Sequence, residues 1–295
     1  MNISFEYYRI FYYVAKYENI TKAAMVLKSS QPNVTRIIHL LEDQLDCRLF
    51  LREARGLKLT EEGKRLYDHV AIACQHLLDA EAELCWNKNI CSGTIELGVT
   101  ETALHLFLLK HLHGFQQKYS DIKIRIQNNT TPGILKALLN GRLDLAIVTT
   151  PFELNDTFAC EDLMTFREVP AGGSEYRALA GHPMSLKEFR FHSIIGLGYG
   201  TASYEYYRKV FMEQKLDYEP AMEVATADLV IPLLQNNLGV GFIPEPLAAP
   251  FFEDQSLVPL SLNVPLPSRD VKMLWDKSLS QSRAAATFCD YLRSL

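Results

Sequence analysis

A run of hydrogen-bonding side chains near the N-terminus has the spacing of one helix face. Its members are Gln31, Asn33, Thr35, Arg36 and His39. Side chains of these types contact base edges and phosphates in the major groove of DNA, where a recognition helix uses its N-terminal residues. The same spacing fits the solvated face of an ordinary helix. The sequence on either side of this run is needed to distinguish a recognition helix from an ordinary solvated helix.

The opposite face of this run is apolar, which predicts a helix packed on a core. The apolar positions are Val34, Ile37, Ile38, Leu41 and Leu45. Ser30 can cap this helix, and Pro32 stands in its first turn, where a missing N–H costs little. A shorter helical segment precedes it, and its Ala23 and Ala24 allow a second helix to cross closely. The two segments predict a helix-turn-helix.

A basic turn follows the second helix. Two short apolar segments flank Arg52, Arg55 and Gly56, a pattern that predicts a small β-hairpin, or wing. We expect Arg52 and Arg55 to contact phosphates or a minor groove. Residues 1–60 carry nine Lys and Arg against six Asp and Glu, whereas the whole chain has a net charge of -5. Positive charge confined to one domain suits a DNA-binding protein whose remaining surface avoids the polyanion.

These residues resemble the N-terminal signature of LysR-type transcriptional regulators. The resemblance rests on Tyr8, Phe11, Val14, Ala15, Asn19, Ile20, Thr21, Ala23, Ala24, Leu27, Ser30, Gln31, Pro32, Val34, Thr35, Leu41, Glu42, Leu49, Phe50, Arg52, Leu59, Thr60 and Gly63. Asn19 stands where the family most often has serine, and both side chains can cap a helix. The resemblance implies a transcriptional regulator that binds a double-stranded DNA operator and responds to a small-molecule effector.

The resemblance also implies a multidomain fold. Its expected parts are an N-terminal α winged helix-turn-helix DNA-binding domain (1–60), a long linker helix for dimerisation (61–88), a hinge (89–92) and a two-lobed α/β effector domain of the periplasmic-binding-protein type (93–295). Within the effector domain we expect lobe I to comprise 93–166 and 270–295, and lobe II to comprise 167–269.

The predicted linker helix carries apolar residues at alternating steps of four and three. These residues are Leu66, Val70, Ala73, Leu77, Ala80 and Leu84. Such spacing is typical of a coiled-coil seam, although a long helix packed on its own domain is the alternative. In the resembled family this segment pairs two subunits, which implies a homodimer or homotetramer. A dimer would set two recognition helices on one face of the duplex.

From residue 93 onward, strand-like and helix-like segments alternate. This alternation predicts mostly parallel sheets with helices on both faces, arranged as two lobes. Residues 167–182, with Pro170, Gly172 and Gly173, fit the second-lobe pattern poorly. In two-lobed sheets a ligand binds beyond the carboxyl ends of the strands, where helix N-termini offer free N–H groups.

Several hydroxyl-bearing residues and a glycine fall at these strand-to-helix junctions. The candidate effector-binding residues are Thr100, Thr102, Thr130, Thr131, Gly198, Thr201 and Thr226. Hydroxyls and backbone N–H groups suit a small anion such as a carboxylate, so we expect an anionic metabolite. The alternative for each threonine is that it only caps its own helix.

Other chemistries find little support in the sequence. The glycines at 196, 198 and 200 lack the dinucleotide-binding spacing, and the six cysteines have no zinc-binding spacing. His111 and His113 would project about 200° apart on a helix and cannot share a metal ion. We therefore expect no enzyme, cofactor or metal site. The alternative function is an enzyme or ligand-binding protein whose helix-turn-helix docks another protein.

The expected location is the cytoplasm. No segment has the length and apolar character of a membrane span, and the first residues lack the layout of a signal peptide. We accordingly expect no membrane partner. If the protein activates transcription, RNA polymerase would be a further partner.

Overall fold

The computed structural model describes residues 3–53, 56–85, 93–279 and 281–295. The chain divides into two compact units, residues 1–88 and 89–295. Arg55 and the predicted hinge at 89–92 lie outside the described residues. No described helix combines the length and apolar character needed to cross a membrane.

The first unit contains four helices and a two-stranded hairpin among its described residues. They are α1 (Phe5–Tyr17), α2 (Ile20–Val26), α3 (Gln31–Leu45), β1 (Phe50–Glu53), β2 (Gly56–Leu59) and α4 (Glu61–Cys85). Strands β1 and β2 are antiparallel. Helices α2 and α3 form the predicted helix-turn-helix, and the hairpin is the predicted wing.

Local hydrogen bonds determine where the helices of this unit begin. The side chains of Asn19, Ser30 and Thr60 each accept a hydrogen bond from the backbone N–H three residues further on. These bonds satisfy N–H groups that have no acceptor within their helix. Asn19 therefore performs the capping role for which the resembled family most often uses serine.

The apolar stripe of α3 faces the core of the first unit, as predicted. Val34, Ile37, Ile38 and Leu41 are buried, and Leu45 is half-buried. Ala23 and Ala24 of α2 are buried in the same core, where their small side chains let α2 and α3 approach closely.

The N-terminal half of α4 packs on its own domain. Val70 and Cys74 are buried in the core described above, and Leu66 is half-buried against it. The prediction that Val70 belongs to an intersubunit seam is therefore wrong, because its side chain is buried in the core of one subunit. Leu77 and Leu78 are 48% and 38% exposed. Exposed apolar surface thus begins further along α4.

The second unit alternates strands and helices. Its first half contains β3 (Gly93–Val99), α5 (Glu101–Ala103), a π-helical segment (Leu104–Leu108), α6 (Leu109–Lys118), β4 (Ile122–Asn128), α7 (Thr131–Leu139), β5 (Leu145–Thr149) and β6 (Phe158–Phe166). Its second half begins with β7 (Glu168–Gly172), a 3₁₀ helix (Ser174–Gly181), α8 (Leu186–Phe189), β8 (Ile194–Leu197) and α9 (Ala202–Glu213). It continues with β9 (Met222–Val224), a 3₁₀ helix (Ala227–Leu229), α10 (Val230–Gln235), β10 (Val240–Pro244), α11 (Glu245–Glu253), β11 (Val258–Pro259), β12 (Arg269–Asp276) and α12 (Arg283–Arg293).

Two five-stranded sheets organise this unit, with strand orders β4-β3-β5-β12-β6 and β11-β7-β10-β8-β9. Three neighbouring strands in each sheet are parallel, namely β4-β3-β5 and β10-β8-β9. The remaining strands pair antiparallel, so both sheets are mixed, contrary to the expectation of mostly parallel sheets. Antiparallel neighbours need no crossover helix, which allows strands such as β12 to return from one sheet to the other.

Residues 167–182 form β7 and a 3₁₀ helix, which explains their poor fit to a simple strand-helix pattern. The chain passes from the first sheet to the second between Phe166 and Glu168. It enters the first sheet again at Arg269, the first residue of β12. These two crossings lie beside the cavity described below.

Candidate functional site

The polar face of α3 lies at the surface of the first unit. Gln31, Arg36 and His39 are exposed, and Asn33 and Thr35 are half-buried. An Arg36 Nη2–H group donates to Asn33 Oδ1 at 3.0 Å, and Thr35 Oγ1 donates to the Gln31 carbonyl at 3.0 Å. These contacts lie within α3. The helix therefore presents a row of donors and acceptors on the side opposite its buried stripe.

Glu42 joins α3 to the wing, a role that the sequence pattern did not reveal. Its buried carboxylate accepts hydrogen bonds from the Leu49 and Phe50 N–H groups at 2.8 and 3.2 Å, and from Arg48 Nη1 at 2.8 Å. Burial raises the pKa of Glu42, but these donors outweigh it and lower the pKa overall. Glu42 belongs to the LysR-type signature, but residue spacing in the sequence does not indicate these partners.

Of the two basic residues predicted for the wing, the structure describes the backbone position of Arg52 and does not describe Arg55. Arg52 is a residue of β1, whose neighbour β2 begins at Gly56. Arg55 lies outside the described residues. Their contacts with DNA stay a prediction.

The ends of strands and the beginnings of helices surround a cavity of about 200 Å³ in the second unit. Five of the seven predicted effector-binding residues line it, namely Thr100, Thr102, Thr130, Thr131 and Thr226. The remaining lining residues are Glu101, Asn128, Asn129, Thr149, Ala202, Ser203, Ala225 and Ala227. The lining therefore comes from both halves of the unit, across the two sheets.

Gly198 and Thr201 are not among the described lining residues of this cavity. The Thr201 hydroxyl donates to the Gly198 carbonyl at 3.0 Å and accepts the Tyr204 N–H at 3.1 Å. It thus caps α9, which was the alternative considered for each threonine. Ala202 and Ser203, the first two residues of α9, line the cavity in their place.

The threonine hydroxyls of the cavity differ in their hydrogen bonding. Thr131 Oγ1 donates to the Thr149 carbonyl at 3.4 Å, and Thr130 Oγ1 accepts the Gly133 N–H at 3.4 Å. Thr100 is only 8% exposed, and its buried Oγ1 has no hydrogen-bond partner among the described residues. A buried hydroxyl without a partner costs free energy, so a ligand that bonded to it would gain more than on an exposed surface.

Two helices of opposite lobes begin at the cavity. Helix α7 begins at Thr131 and has nine residues, and α9 begins at Ala202 and has twelve. The first N–H groups of a helix have no acceptor within the helix, and its dipole is positive at that end. Both features favour an anionic group, such as a carboxylate, in the cavity.

A buried ion pair lies directly behind the lining. The Arg269 guanidinium is 1% exposed and donates to the equally buried Glu168 carboxylate. It also donates to Ser203 Oγ at 3.1 Å and to Thr149 Oγ1 at 3.3 Å. Burial raises the pKa of Glu168, and the adjacent Arg269 charge offsets part of that effect. The sequence analysis did not find this pair.

One ionisable side chain, Glu101, stands in the described lining. The Asp228 carboxyl group neighbours it from the other lobe, and His105 Nε2 lies 3.9 Å from Glu101 Oε1. Burial, followed by the effect of Asp228, raises the pKa of Glu101 to about 7. Hydrogen bonds from Thr226 and Glu101 lower the pKa of Asp228. Among the described residues no group of three or more His, Cys, Asp and Glu side chains could hold a metal ion.

A winged helix-turn-helix with an exposed polar helix face, followed by a two-lobed α/β unit with a ligand-sized cavity, defines a class of ligand-responsive DNA-binding regulators. The chain belongs to the LysR family of transcriptional regulators. Residues 5–64 match the family model "Bacterial regulatory helix-turn-helix protein, lysR family". Residues 91–295 match the family model "LysR substrate binding domain".

Curated relatives are named as transcriptional regulators. One is the HTH-type transcriptional regulator YofA of Bacillus velezensis, 25% identical over 97% of this chain and 96% of that protein. Another is the RuBisCO operon transcriptional regulator of Allochromatium vinosum, 22% identical over 100% of this chain and 97% of that protein. Their names identify regulators of transcription, which agrees with the expectation that this chain is not an enzyme.

Solved structures of full-length regulators share the fold. The LysR family regulator CbnR is similar with a TM-score of 0.69, at 17% identity over 99% of each chain. The probable transcriptional regulator PA0477 of Pseudomonas aeruginosa is similar with a TM-score of 0.70, at 18% identity over 99% of this chain and 97% of that chain. These structural similarities support the winged helix-turn-helix and the two-lobed α/β architecture.

Proposed function

We propose that this LysR-family regulator binds its operator through α3 and the wing, and that a small anionic metabolite in the lobe cavity controls operator binding or activation. One observation carries the proposal. Five hydroxyl-bearing junction residues from both lobes line a single cavity at which two helices begin. Hydroxyls, amides and helix N-termini together favour a carboxylate.

The DNA-binding part of the proposal assigns base contacts to Gln31, Asn33, Thr35, Arg36 and His39. Arg52 and Arg55 are assigned to the backbone or the minor groove. Replacing Arg36 by alanine should weaken binding to the operator by about 1–3 kcal/mol and affect random DNA much less. Arg52→Ala should weaken binding to both and reduce the salt dependence.

Fluorescence anisotropy with DNA from beside the protein's own gene tests these assignments. Arg208→Ala is the matched control, since Arg208 is an exposed arginine of α9 in the second unit. Equal operator affinity of the wild type, Gln31→Ala and Arg36→Ala proteins would remove α3 from the role of recognition helix.

The cavity part is tested with a double variant, Thr100→Val with Thr131→Val. Valine keeps the volume and removes the hydroxyl, so a ligand oxygen loses its donor. A reporter gene behind the operator, scored against a panel of small organic acids, should lose its response while operator binding without ligand persists. Thr287→Val on α12 is the control. A normal response of the double variant would place the effector site elsewhere.

We propose that ligand binding acts on DNA indirectly, since the cavity lies in the second unit and the recognition helix in the first. The ligand can bias two arrangements of the protein only by its difference in affinity for them, commonly about 1–3 kcal/mol in allosteric proteins. We propose that subunits paired through the exposed part of α4 transmit this bias as a homodimer or homotetramer. RNA polymerase is a further partner if the protein is an activator.

A further inference from the structure

The charge distribution around the lobe cavity is uneven. Two helix N-termini favour an anion, yet Glu101 is the single ionisable side chain of the described lining. A second carboxyl group, Asp228 on the 3₁₀ helix of lobe II, stands beside it. A simple anion would therefore meet favourable groups at α7 and α9 and an unfavourable one at Glu101. A ligand with charges of both signs would satisfy both regions.

We propose that the metabolite is an α-amino acid, whose ammonium group binds between Glu101 and Asp228 and whose carboxylate binds at the beginnings of α7 and α9. This assignment rests on the proposed function, because it places the ligand in the same cavity. It adds the chemical class of the ligand and two residues, Glu101 and Asp228, that recognise it.

The lining supports each pole of such a ligand. For the carboxylate, Thr131, Ala202 and Ser203 are first-turn residues of two helices, whose N–H groups lack acceptors within the helix. The Thr100 hydroxyl, buried and without a partner among the described residues, is a further donor. An ammonium group has three donors and no acceptor, and the carboxyl groups of Glu101 and Asp228 supply acceptors from two lobes.

The ammonium group of the ligand would take the place of the proton that Glu101 partly holds near neutral pH. The Glu101 side chain is 13% exposed, and its buried Oε2 has no hydrogen-bond partner among the described residues, while the Thr226 side chain and the Asp228 backbone N–H donate to the carboxyl group. Burial and the neighbouring Asp228 raise the pKa of Glu101 to about 7, so Glu101 is partly protonated near neutral pH. An ammonium group in that position supplies the positive charge instead. His105 Nε2 lies 3.9 Å from Glu101 Oε1, but its side chain is 46% exposed, so solvent screens any charge that it carries.

The size of the cavity limits the side chain of the amino acid. About 200 Å³ corresponds to about seven water molecules at about 30 Å³ each. The ligand is thus the size of a small amino acid or a short organic acid.

Isothermal titration calorimetry of the full chain tests the proposal with the twenty common amino acids as probes. The amino acid that binds is then compared with its 2-hydroxy acid, which lacks the ammonium group, and with its amine, which lacks the carboxylate. We expect the amino acid to bind at least about tenfold more tightly than either analogue, the effect of one charged hydrogen bond. Titrations in buffers of different ionisation enthalpy should show proton release near pH 7.

Two isosteric variants locate the ammonium site. Glu101→Gln should weaken binding of the amino acid about tenfold or more, while binding of the 2-hydroxy acid stays unchanged or improves. Asp228→Asn should act in the same direction and remains informative if Glu101→Gln fails to fold. Glu223→Gln is the control, because Glu223 is an exposed carboxylate of β9 outside the described lining.

The possible results separate the two proposals. If the 2-hydroxy acid binds as tightly as the amino acid and Glu101→Gln changes neither, the ammonium site is refuted and the carboxylate site of the proposed function stands. If no amino acid binds, the amino-acid assignment is likewise refuted. Binding of Mg²⁺ or Ca²⁺ that requires Glu101 and excludes the amino acid also overturns it. The assignment of the effector site to this cavity is refuted by a separate result, a normal response of the Thr100→Val, Thr131→Val protein in the reporter experiment.

Discussion

Replacing Arg269 by methionine should destabilise the second unit more than any surface substitution. The change removes a guanidinium that is 1% exposed and leaves Glu168, also 1% exposed, without its counter-charge. It also removes the hydrogen bond to the Thr150 carbonyl at 2.7 Å and the stacking on the Phe166 and Tyr206 rings. Breaking a buried ion pair by removing one partner costs about 3–5 kcal/mol.

The double replacement separates the ion pair from the packing around it. Glu168→Leu added to Arg269→Met removes the remaining charge, so the double variant should be more stable than Arg269→Met alone. Urea unfolding followed by the fluorescence of Trp275, which lies in β12, measures both. Trp86→Phe in every variant leaves Trp275 as the remaining tryptophan of the sequence.

The pH dependence provides an independent check of the same argument. In Arg269→Met, burial raises the pKa of Glu168 with no arginine to oppose it. An acid with a raised pKa binds its proton more tightly when folded, so stability should fall as pH rises above its ordinary value of 4.5. Glu168→Leu should abolish this slope. A loss below about 1 kcal/mol in Arg269→Met, or an unchanged slope in the double variant, would refute the reasoning.

Two further predictions concern the first unit. Glu42→Ala leaves the N–H groups at the start of the wing unpaired and should cost about 2–3 kcal/mol in unfolding free energy. Since the pKa of Glu42 is lowered, its contribution in the wild type should be present above pH 4.5 and be lost below it, as urea titrations at several pH values would show. Leu77→Glu places a charge on exposed apolar surface of α4 and should lower the mass found by sedimentation. Leu139→Glu, at an equally exposed leucine of α7, should not, and an unchanged mass in Leu77→Glu would contradict pairing through α4.

The local features of the fold followed from short-range patterns in the sequence. Asn19, Ser30 and Thr60 were predictable caps, because a cap bonds to an N–H only three residues away. The buried and exposed faces of α3 followed from helical spacing for the same reason. The sequence also located the strand-to-helix junctions. Of the seven candidate effector-binding residues at these junctions, five threonines line one cavity.

Local sequence patterns did not show which distant residue each side chain contacts in the folded protein. Val70 and Leu77 have equivalent positions in one heptad pattern, yet Val70 packs in the core of its own domain and Leu77 is exposed. Thr100 and Thr201 both precede helices. Thr201 bonds to its own helix, whereas the Thr100 hydroxyl is left without a partner among the described residues. The difference depends on what packs against each position.

The sequence by itself determined the class of protein, the helix α3 with its polar face, and the places where strands give way to helices. Only the tertiary structure decided the side-chain pairs beside the cavity. Arg269 and Glu168 are 101 residues apart, and Glu101 and Asp228 come from different lobes. Helix and strand periodicity acts over a few residues, so it identifies the face a side chain occupies. The partner it meets is set by how the two sheets are brought together.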